Sequence, residues 1–468
     1  MAEPDEPQPY NEPPDIETDV LVVGAGACGI VAGLRALEAG VEVIVVERDA
    51  VPSGSTALSS GFIPAPGTRF QKSLGIEDSP DLFARDIQKK AAGGAHPGIT
   101  GTVTNQIAPA LEWLADRHGL EWTVLDDFLY PGHSAHRMHA VPEKTGAALM
   151  ARLARAAEDA GLTIVCDARV VSPIGQGHAI VGGVILRPNG RLEHTGAKST
   201  ILACNGFGGA PNLVARHIRE IAGAPYFGHQ GNTGDALEWG QFSGAETRDL
   251  TAYQGHGSVA HPHGILISWA LMMEGGIQVN AEGRRFSNEH EGYSEQAVKV
   301  LAQPDSVAWN VYDGRLHHLG LGFPDYVQAV EAGAVRQGSV ADIASVIGCA
   351  PEALEGTLEE SRAMAAGAPD PLGRDFTGKP PLGDDLHAIR VTGALFHTQG
   401  GLVVDKEARV VRPDGKPVPG LYAGGGAACG VSGSKVEGYL SGNGLLTAIA
   451  LGFVAGQAAA QHSLETEQ

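Results

Sequence analysis

The first fifty residues combine two continuous apolar runs with one stretch of helical spacing. Residues 19–23 (DVLVV) and 41–46 (VEVIVV) are apolar enough to form buried parallel strands. Between them, apolar side chains recur every three or four positions, which is typical of a helix packed on a sheet. This order of strand, helix and strand predicts a βαβ unit near the start of the chain.

Glycines mark the turn between the first strand and the helix. Gly24, Gly26 and Gly29 form GxGxxG, and Glu47 ends the second strand. The first glycine permits a tight turn, the second lets the backbone approach a pyrophosphate, and the third allows close packing of helix on strand. The helix N-terminus then offers N–H groups to the phosphates, and a carboxylate at Glu47 accepts hydrogen bonds from a ribose. The spacing predicts a dinucleotide site, and the alternative is a glycine-rich turn without a ligand.

Later runs continue this pattern, and the middle of the chain departs from it. LTIVCDARV, AIVGGVILRP and KSTILACNG are strand-like and alternate with helical stretches, whereas residues 255–380 contain helical segments separated by proline and glycine. We predict a Rossmann-like α/β nucleotide-binding domain from residues 18–254 and 381–468. A mostly helical α+β capping domain is inserted over 255–380. The acidic, proline-rich residues 1–17 are expected to be a disordered leader.

The net charge limits the classes of binding partner, and the cysteines indicate the cell compartment. The 468 residues carry a formal net charge of −21, which argues against nucleic acid and anionic membrane surfaces as partners. Five cysteines are scattered without a CxxC pair, so a reducing compartment, the cytoplasm, is expected. The most apolar late stretch, residues 445–460, contains Gly452 and Gly456 and is expected not to span a membrane.

Seven segments, in order along the chain, resemble the fumarate reductase/succinate dehydrogenase flavoprotein superfamily. They are GAGACG with Glu47, GSTALSSG (54–61), ILACNGFGG (201–209), GNTGDALEWG (231–240), GRRFSNE (283–289), HTQGGLVVD (397–405) and GLYAGGG…SGNGL. The resemblance implies a glutathione-reductase-type domain that binds FAD, a cap, a small-molecule substrate and an external electron acceptor (a quinone, an electron-transfer protein or oxygen). No histidine lies in GSTALSSG, where covalent members attach the flavin, so we expect FAD to be held non-covalently.

The βαβ unit and the resemblance together assign residues to the cofactor. Those expected to bind FAD are Gly24, Gly26, Ala27, Cys28, Gly29, Glu47, Arg48, Ser55, Thr56, Ser59, Ser60, Gly61, Val170, Asn205, Gly206, Asp235, Gly425, Gly442, Asn443 and Leu445.

Two departures from the fumarate reductase pattern change the expected substrate. Those enzymes carry a proton-donating arginine four residues after the Glu of GxRFxNE, and Tyr293 stands there in this chain. They also carry an arginine that clamps a substrate carboxylate in RLGGN, and Tyr439 stands there. A phenol cannot replace a charged bidentate fork, so a C4-dicarboxylate substrate is not expected.

Tyrosines at both positions resemble the 3-ketosteroid dehydrogenase and cyclic-ketone desaturase branch. The resemblance makes Tyr293 the base that removes the proton α to a ketone, while Tyr439 holds the carbonyl oxygen with Ser441 or a nearby glycine N–H. The implied activity is FAD-dependent α,β-dehydrogenation of a cyclic ketone. The alternatives are a reductase of an enone or unsaturated carboxylic acid, and a flavin-binding protein without catalysis.

Other polar residues are weaker candidates. His397 matches a substrate-contacting histidine of HTxGG, and packing against backbone is its alternative. Tyr130 is a candidate proton relay for Tyr293. The evenly spaced His133, His136 and His139 are expected to be solvent-exposed loop residues rather than metal ligands.

Overall fold

The computed structural model describes residues 13–177 and 179–466, and these fall into two compact units. The first unit holds the described residues up to Ile218, then Gly228–Tyr253, then those from His397 onward. The second unit holds Arg219–Phe227 and Gln254–Phe396. The predicted leader lies mostly on residues 1–12, outside the described residues. Its last two residues, Ile16 and Glu17, begin a strand instead.

The strands of the described residues are two to thirteen residues long. They are β1 (Ile16–Val23), β2 (Val43–Val46), β3 (Ile63–Pro64), β4 (Thr123–Val124), β5 (Met138–Ala140), β6 (Thr163–Val165), β7 (Arg169–Gln176), β8 (Ala179–Leu186), β9 (Leu192–Leu202), β10 (Thr247–Arg248), β11 (Tyr253–Ala260), β12 (Ile265–Leu266), β13 (Ile277–Val279), β14 (Val307–Asp313), β15 (Val335–Gly338), β16 (Leu386–Thr398), β17 (Gly401–Leu402), β18 (Arg409–Val411) and β19 (Pro417–Ala423).

The α-helices of the described residues lie between these strands. They are α1 (Ala27–Glu38), α2 (Gly54–Ala57), α3 (Arg69–Ser73), α4 (Pro80–Lys90), α5 (Pro97–His118), α6 (Gly146–Asp159), α7 (Pro211–His217), α8 (Asp235–Ser243), α9 (Ala270–Met273), α10 (Tyr293–Leu301), α11 (Gly314–Gly320), α12 (Pro324–Glu331), α13 (Val340–Ile347), α14 (Pro351–Ala365) and α15 (Asn443–Glu465). Single 3-10 turns lie at Arg219–Ile221, Pro304–Ser306, Gly425–Ala427 and Val436–Gly438.

The first unit is built on the parallel order β19–β9–β1–β2–β6. Antiparallel strands extend it, with β18 beside β19 and the β7–β8 pair beside the first half of β9. Strand β1 is central, and its Val20, Leu21 and Val22 are fully buried. The predicted βαβ unit and the Rossmann-like α/β class are both confirmed.

Helix α15 packs against α1 and α5 in the same unit. It is long and apolar enough to cross a membrane by length and composition, yet most of its most apolar stretch is buried inside the protein. Its glycines are the points of closest packing: a Cβ added at Gly456 would lie 2.2 Å from the Ala32 carbonyl oxygen, and one at Gly452 would lie 2.6 Å from that of Cys28. These glycines, which interrupt the apolar run in the sequence, therefore let two helices touch.

The second unit combines helices with a sheet of order β12–β11–β16–β14–β13, and β15 also pairs with β16. We predicted that this domain ends at residue 380, whereas the compact unit continues to Phe396 because Leu386–Thr398 is the central strand of its sheet. The short segment Arg219–Phe227 also belongs here, since Phe227 N–H donates to the Leu395 carbonyl. Neither extension has a local signal in the sequence.

Candidate active site

A cleft in the first unit opens at the carboxyl ends of its parallel strands. The predicted cofactor residues that line it are Gly24, Gly26, Ala27, Cys28, Glu47, Arg48, Ser55, Thr56, Val170, Asn205, Asp235 and Gly425. Such a crevice is where open α/β sheets bind ligands. Twelve of the predicted cofactor residues therefore line one cleft.

The first turn of the βαβ unit is shaped for a backbone approach. Gly24 has φ +103°, a conformation that side chains other than glycine rarely adopt, and a Cβ there would lie 2.7 Å from the Ala203 carbonyl oxygen. A Cβ at Gly29 would lie 1.8 Å from the Gly24 carbonyl oxygen, so this position holds helix against strand rather than ligand. The Glu47 carboxylate accepts hydrogen bonds from the N–H groups of Ala25 at 2.8 Å and Asp49 at 3.1 Å. These bonds fix the orientation of the Glu47 carboxylate, which lines the cleft.

The remaining predicted cofactor residues do not line this cleft. They are Gly29, Ser59, Ser60, Gly61, Gly206, Gly442, Asn443 and Leu445. Ser59 supports a turn, because its hydroxyl donates to the Thr56 carbonyl and accepts from the Gly61 N–H. The contacts of these residues with a cofactor stay predictions.

Several lining residues were missed by the sequence reasoning. His229 and Asn232 reach the Ser55 hydroxyl oxygen through a backbone N–H and a side-chain amide, at 3.1 and 2.8 Å. Asn232 lies in the GNTGDALEWG segment, so the motif could have identified it as a cleft residue. His229 has no local signal, because only the fold brings it to the cleft.

Two cysteines line the same cleft, Cys28, which is buried, and Cys204, which is half-buried. Burial raises the pKa of Cys28 and of Cys204 to about 12. Both therefore remain neutral thiols near neutral pH and are not nucleophiles.

Tyr439 and His397 are neighbours in the first unit. Their ring centroids lie 5.6 Å apart at 79°, an edge-to-face contact. Burial lowers the pKa of His397 to about 4, so the imidazole is neutral. Its Nδ1 lies 2.9 Å from the Gln399 side-chain nitrogen. Two of the predicted catalytic residues are thus adjacent, and the imidazole of the pair is uncharged at neutral pH.

Tyr293 is the first residue of α10 in the second unit and stacks on His256, with centroids 4.8 Å apart and planes at 23°. His256 was missed by the sequence reasoning. Burial lowers its pKa to about 3, and its Nδ1 accepts from the Ser258 N–H at 3.1 Å, so Nε2 carries the proton. The Ser294 hydroxyl accepts from the Gly255 N–H at 2.8 Å, which pins the start of α10 to β11.

The histidines 133, 136 and 139 correct a prediction. His133 and His139 are buried rather than solvent-exposed, and His136 is half-buried. The reason is Arg137, a fully buried side chain that pairs with Asp78 through two bonds of 2.9 Å and with Asp86 through one of 2.5 Å. Its neighbours pack around this ionic cluster.

Two arginines of the second unit are also paired with carboxylates. In the second unit Arg285 binds the carboxylates of Glu289 and Asp370, and Arg374 lies 3.1 Å from Glu289. Burial raises the pKa of Glu289, but the hydrogen bond from Arg285 and the charge of Arg374 outweigh it and hold the pKa below its ordinary value. Lys435, near Tyr439 in sequence, is exposed. The charges of Arg285 and Arg374 are thus matched by carboxylates of their own unit.

Tyr130 lies in a loop of the first unit, half-buried, with Phe62 and Phe128 at centroid distances of 6.2 and 5.0 Å. Ser441 is buried, and its carbonyl oxygen lies 3.0 Å from His133 Nε2. The role of Tyr130 as a relay stays a prediction.

Comparison with known proteins gives a match over nearly the whole chain. A family model described as an FAD binding domain matches residues 19–445. The chain is 28% identical over 450 residues to NADH:fumarate oxidoreductase of Klebsiella pneumoniae, covering 95% of this chain and 48% of that protein. This chain therefore spans about half the length of that relative.

The names of two further similar proteins include a ketone substrate. One is 4-oxocyclohexanecarboxylate 2-dehydrogenase of Sinomonas cyclohexanicum, 24% identical, with 87% of each chain covered. The other is the crystal structure of 3-ketosteroid-Δ4-(5α)-dehydrogenase from Rhodococcus jostii RHA1 in complex with 4-androstene-3,17-dione. It superposes with a TM-score of 0.78 at 26% identity, covering 97% of this chain and 99% of that one.

Proposed function

Because this chain belongs to the FAD binding domain family, within the fumarate reductase/succinate dehydrogenase flavoproteins, and is an FAD-dependent oxidoreductase, we propose that it desaturates a cyclic ketone at the α,β-bond. The observation that carries the proposal is the contact between the Tyr439 phenol and the neutral His397 imidazole, where a carboxylate-binding enzyme needs a cation. Two neutral donors suit a ketone oxygen.

The cleft fits FAD. Glu47, aimed by two backbone N–H groups, is suited to the ribose hydroxyls, and Gly26 at the start of α1 leaves room for the pyrophosphate. Bound FAD supplies the acceptor for two electrons and the hydride that leaves the β-carbon. Non-covalent attachment belongs to the proposal, as does an external acceptor that receives the electrons afterwards.

The residues of this chain act on the proton and on the carbonyl. The Tyr293 phenolate removes the proton from the carbon α to the ketone and becomes a phenol. The Tyr439 hydroxyl donates a hydrogen bond to the ketone oxygen. A phenol has a pKa of about 10 in water, so Tyr293 needs a neighbour that accepts its proton between turnovers. Tyr130 is the proposed relay. The ketone loses one proton and one hydride in total and becomes a conjugated enone.

A second candidate function is the reverse reaction, reduction of an enone or unsaturated carboxylic acid. The similarity to NADH:fumarate oxidoreductase favours it. In that direction Tyr293 donates the proton. The proposed location is the cytoplasm, supported by five cysteines that are all free.

Anaerobic flavin bleaching tests the direction and the substrate. The purified yellow protein is mixed with saturated cyclic ketones (a 3-ketosteroid, cyclohexanone and 4-oxocyclohexanecarboxylate) while the oxidised flavin band is followed. Bleaching by one ketone, with recovery on adding an acceptor, supports desaturation. If no ketone bleaches the flavin and an enone or unsaturated acid reoxidises dithionite-reduced enzyme, the reductase is the correct function.

The Tyr293→Phe variant tests the base. We expect the bleaching rate constant to fall by about 10³-fold, because proton abstraction is lost, with FAD retained. Tyr326→Phe is the matched control, since Tyr326 is a buried, hydrogen-bonded tyrosine of the same unit. Equal rates for the Tyr293 variant and wild type would remove this residue from the role.

A further inference from the structure

We propose that His133 is a positioning residue for the loop 439–442. It turns the Ser441–Gly442 peptide so that the Gly442 N–H joins Tyr439 as a donor to the substrate's ketone oxygen. The proposal rests on the proposed function and adds to it a group outside the motifs, fixed by a buried ionic cluster.

The hydrogen-bond directions in this cluster follow from the donors. Arg137 Nη1 carries only N–H groups, and it lies 3.2 Å from His133 Nδ1, so Nδ1 accepts. Burial, together with the Arg137 charge, lowers the pKa of His133 to about 4, so the ring has one proton, which sits on Nε2. Nε2 lies 3.0 Å from the Ser441 carbonyl oxygen and donates to it. One tautomer satisfies every contact.

The cluster has little freedom to move. Arg137 is fully buried and is held by Asp78 on one side and Asp86 on the other. Its guanidinium carbon lies 4.5 Å from the centroid of Phe83, and the His133 ring stacks on the same phenyl group at 5.8 Å. Breaking such a pair leaves a buried charge without a partner, which is costly. The direction of the His133 Nε2–H group is therefore fixed by the buried cluster.

Peptide planarity carries the effect to Gly442. In a trans peptide the C=O and the following N–H point in opposite directions, so fixing the Ser441 carbonyl fixes the Gly442 N–H. Within the described residues no acceptor contacts this N–H, whereas the next N–H along, of Asn443, donates to the Leu440 carbonyl at 3.1 Å. Gly442 also has φ +87°, so a side chain there would be strained. The loop keeps one N–H available for a ligand.

A backbone N–H is suited to the chemistry at this position. Removing the α-proton places negative charge on the ketone oxygen, and preoriented donors stabilise that charge most when they need no rearrangement. Tyr439 supplies one donor. The Gly442 N–H supplies a second whose direction is set by His133.

The test compares two substitutions of His133. His133→Leu removes the donor to Ser441, whereas His133→Gln keeps an N–H at a similar reach. We expect the bleaching rate constant with the active ketone to fall by about 30-fold in the Leu variant, with KM changed less than threefold. This is less than the roughly 10²–10³-fold cost of removing an oxyanion donor, because the Gly442 N–H is turned away rather than lost. The Gln variant should recover to within about threefold of wild type. Affinity for 4-nitrophenolate, an enolate mimic followed by flavin absorbance, should fall and recover in parallel.

His139→Gln is the matched control, because His139 is an equally buried neutral histidine of the same segment that contacts Thr68. A purely structural role for His133 predicts that all three variants lose thermal stability and bleaching rate together; that result would overturn the proposal, as would equal rate constants for His133→Leu and His133→Gln. If no ketone bleaches the wild type, the proposed function fails. Crystal structures of the two His133 variants then still decide the positioning, since the Ser441 carbonyl should turn in the Leu variant alone.

Discussion

The imidazole of His256 lies flat against the phenol ring of Tyr293, with 4.8 Å between ring centroids. The two residues come from different elements, β11 and α10, and the neutral histidine is held through Nδ1 by the Ser258 N–H. The stack sets the plane of the proposed base. A base must lie within hydrogen-bond reach of the proton it removes, so its orientation matters as much as its pKa.

Replacement of His256 by leucine is expected to slow proton abstraction. Without the flat ring the Tyr293 phenol gains rotational freedom, so we expect the bleaching rate constant to drop about tenfold. His317→Leu is the matched control, because His317 stacks on His387 at 4.4 Å in the same unit without touching Tyr293. Stopped-flow absorbance measures both. If the control variant also lost tenfold in bleaching rate constant, any disturbed ring stack in this unit would slow the reaction, and the specific role of His256 would be contradicted.

Glu47→Gln is expected to weaken FAD binding by about tenfold or more. The amide keeps the shape of the side chain but loses the negative charge. That charge strengthens the hydrogen bonds from the Ala25 and Asp49 N–H groups and from the ribose hydroxyls. Titration of the apoprotein with FAD, followed by flavin fluorescence, measures the Kd. Glu42→Gln on the same segment is exposed and should bind FAD like wild type. An unchanged Kd in the Glu47 variant would exclude a ribose contact.

Gly456→Val is expected to destabilise the first unit by about 3 kcal/mol or more. The added Cβ would meet the Ala32 carbonyl oxygen at 2.2 Å, and this atom belongs to the α1 backbone and cannot rotate away. Urea unfolding followed by circular dichroism measures the loss. The neighbouring Gln457 is exposed, so Gln457→Ala should stay within about 0.5 kcal/mol of wild type. Equal stability of the two variants would contradict the tight helix contact.

Acid is expected to destabilise the protein below pH 6.5. Burial lowers the pKa of His133, His139, His290 and His397 to about 4 and that of His256 to about 3. The unfolded chain therefore binds more protons than the folded one between pH 6.5 and these values, and the free energy of unfolding falls as the pH is lowered through that window. Full protonation on unfolding corresponds to up to about 3 kcal/mol for each histidine with a pKa of about 4, and up to about 5 kcal/mol for His256.

Urea midpoints between pH 8 and pH 4.5 measure this loss. Above about pH 7.5 these groups have no effect, because they are neutral in both states. His133→Gln should have a shallower decline than wild type. A flat profile from pH 7 to pH 5 would contradict the assignment of these histidines as buried and neutral.

What the sequence could predict depended on how local each signal is. The turn at Gly24 and the acid at Glu47 lie within one βαβ unit, where spacing alone determines the geometry, and both line the cleft. His229 reaches the same cleft from a segment whose own residues give no hint of it. Local patterns predict elements and motifs, whereas contacts between distant segments depend on packing.

The Arg137 cluster shows the limit most clearly. Evenly spaced histidines beside an arginine, in a polar loop-like segment, suggested an exposed loop. The partners Asp78 and Asp86 are about fifty to sixty residues away in sequence, and only their carboxylates make burial of the guanidinium possible. The same holds for His256 and Tyr293, whose stack requires the β11–α10 contact.

The packing of α15 on α1 has a consequence for how the chain is made. The last helix covers the first, and β19 pairs with β9, so the first unit cannot close its sheet until the C-terminal segment has been synthesised. A ribosome making this protein holds an incomplete nucleotide domain while the whole second unit emerges, and contacts so far apart in sequence form slowly. A chain truncated before His397 would expose the apolar face of α1, and chaperones and proteases would recognise it as unfinished.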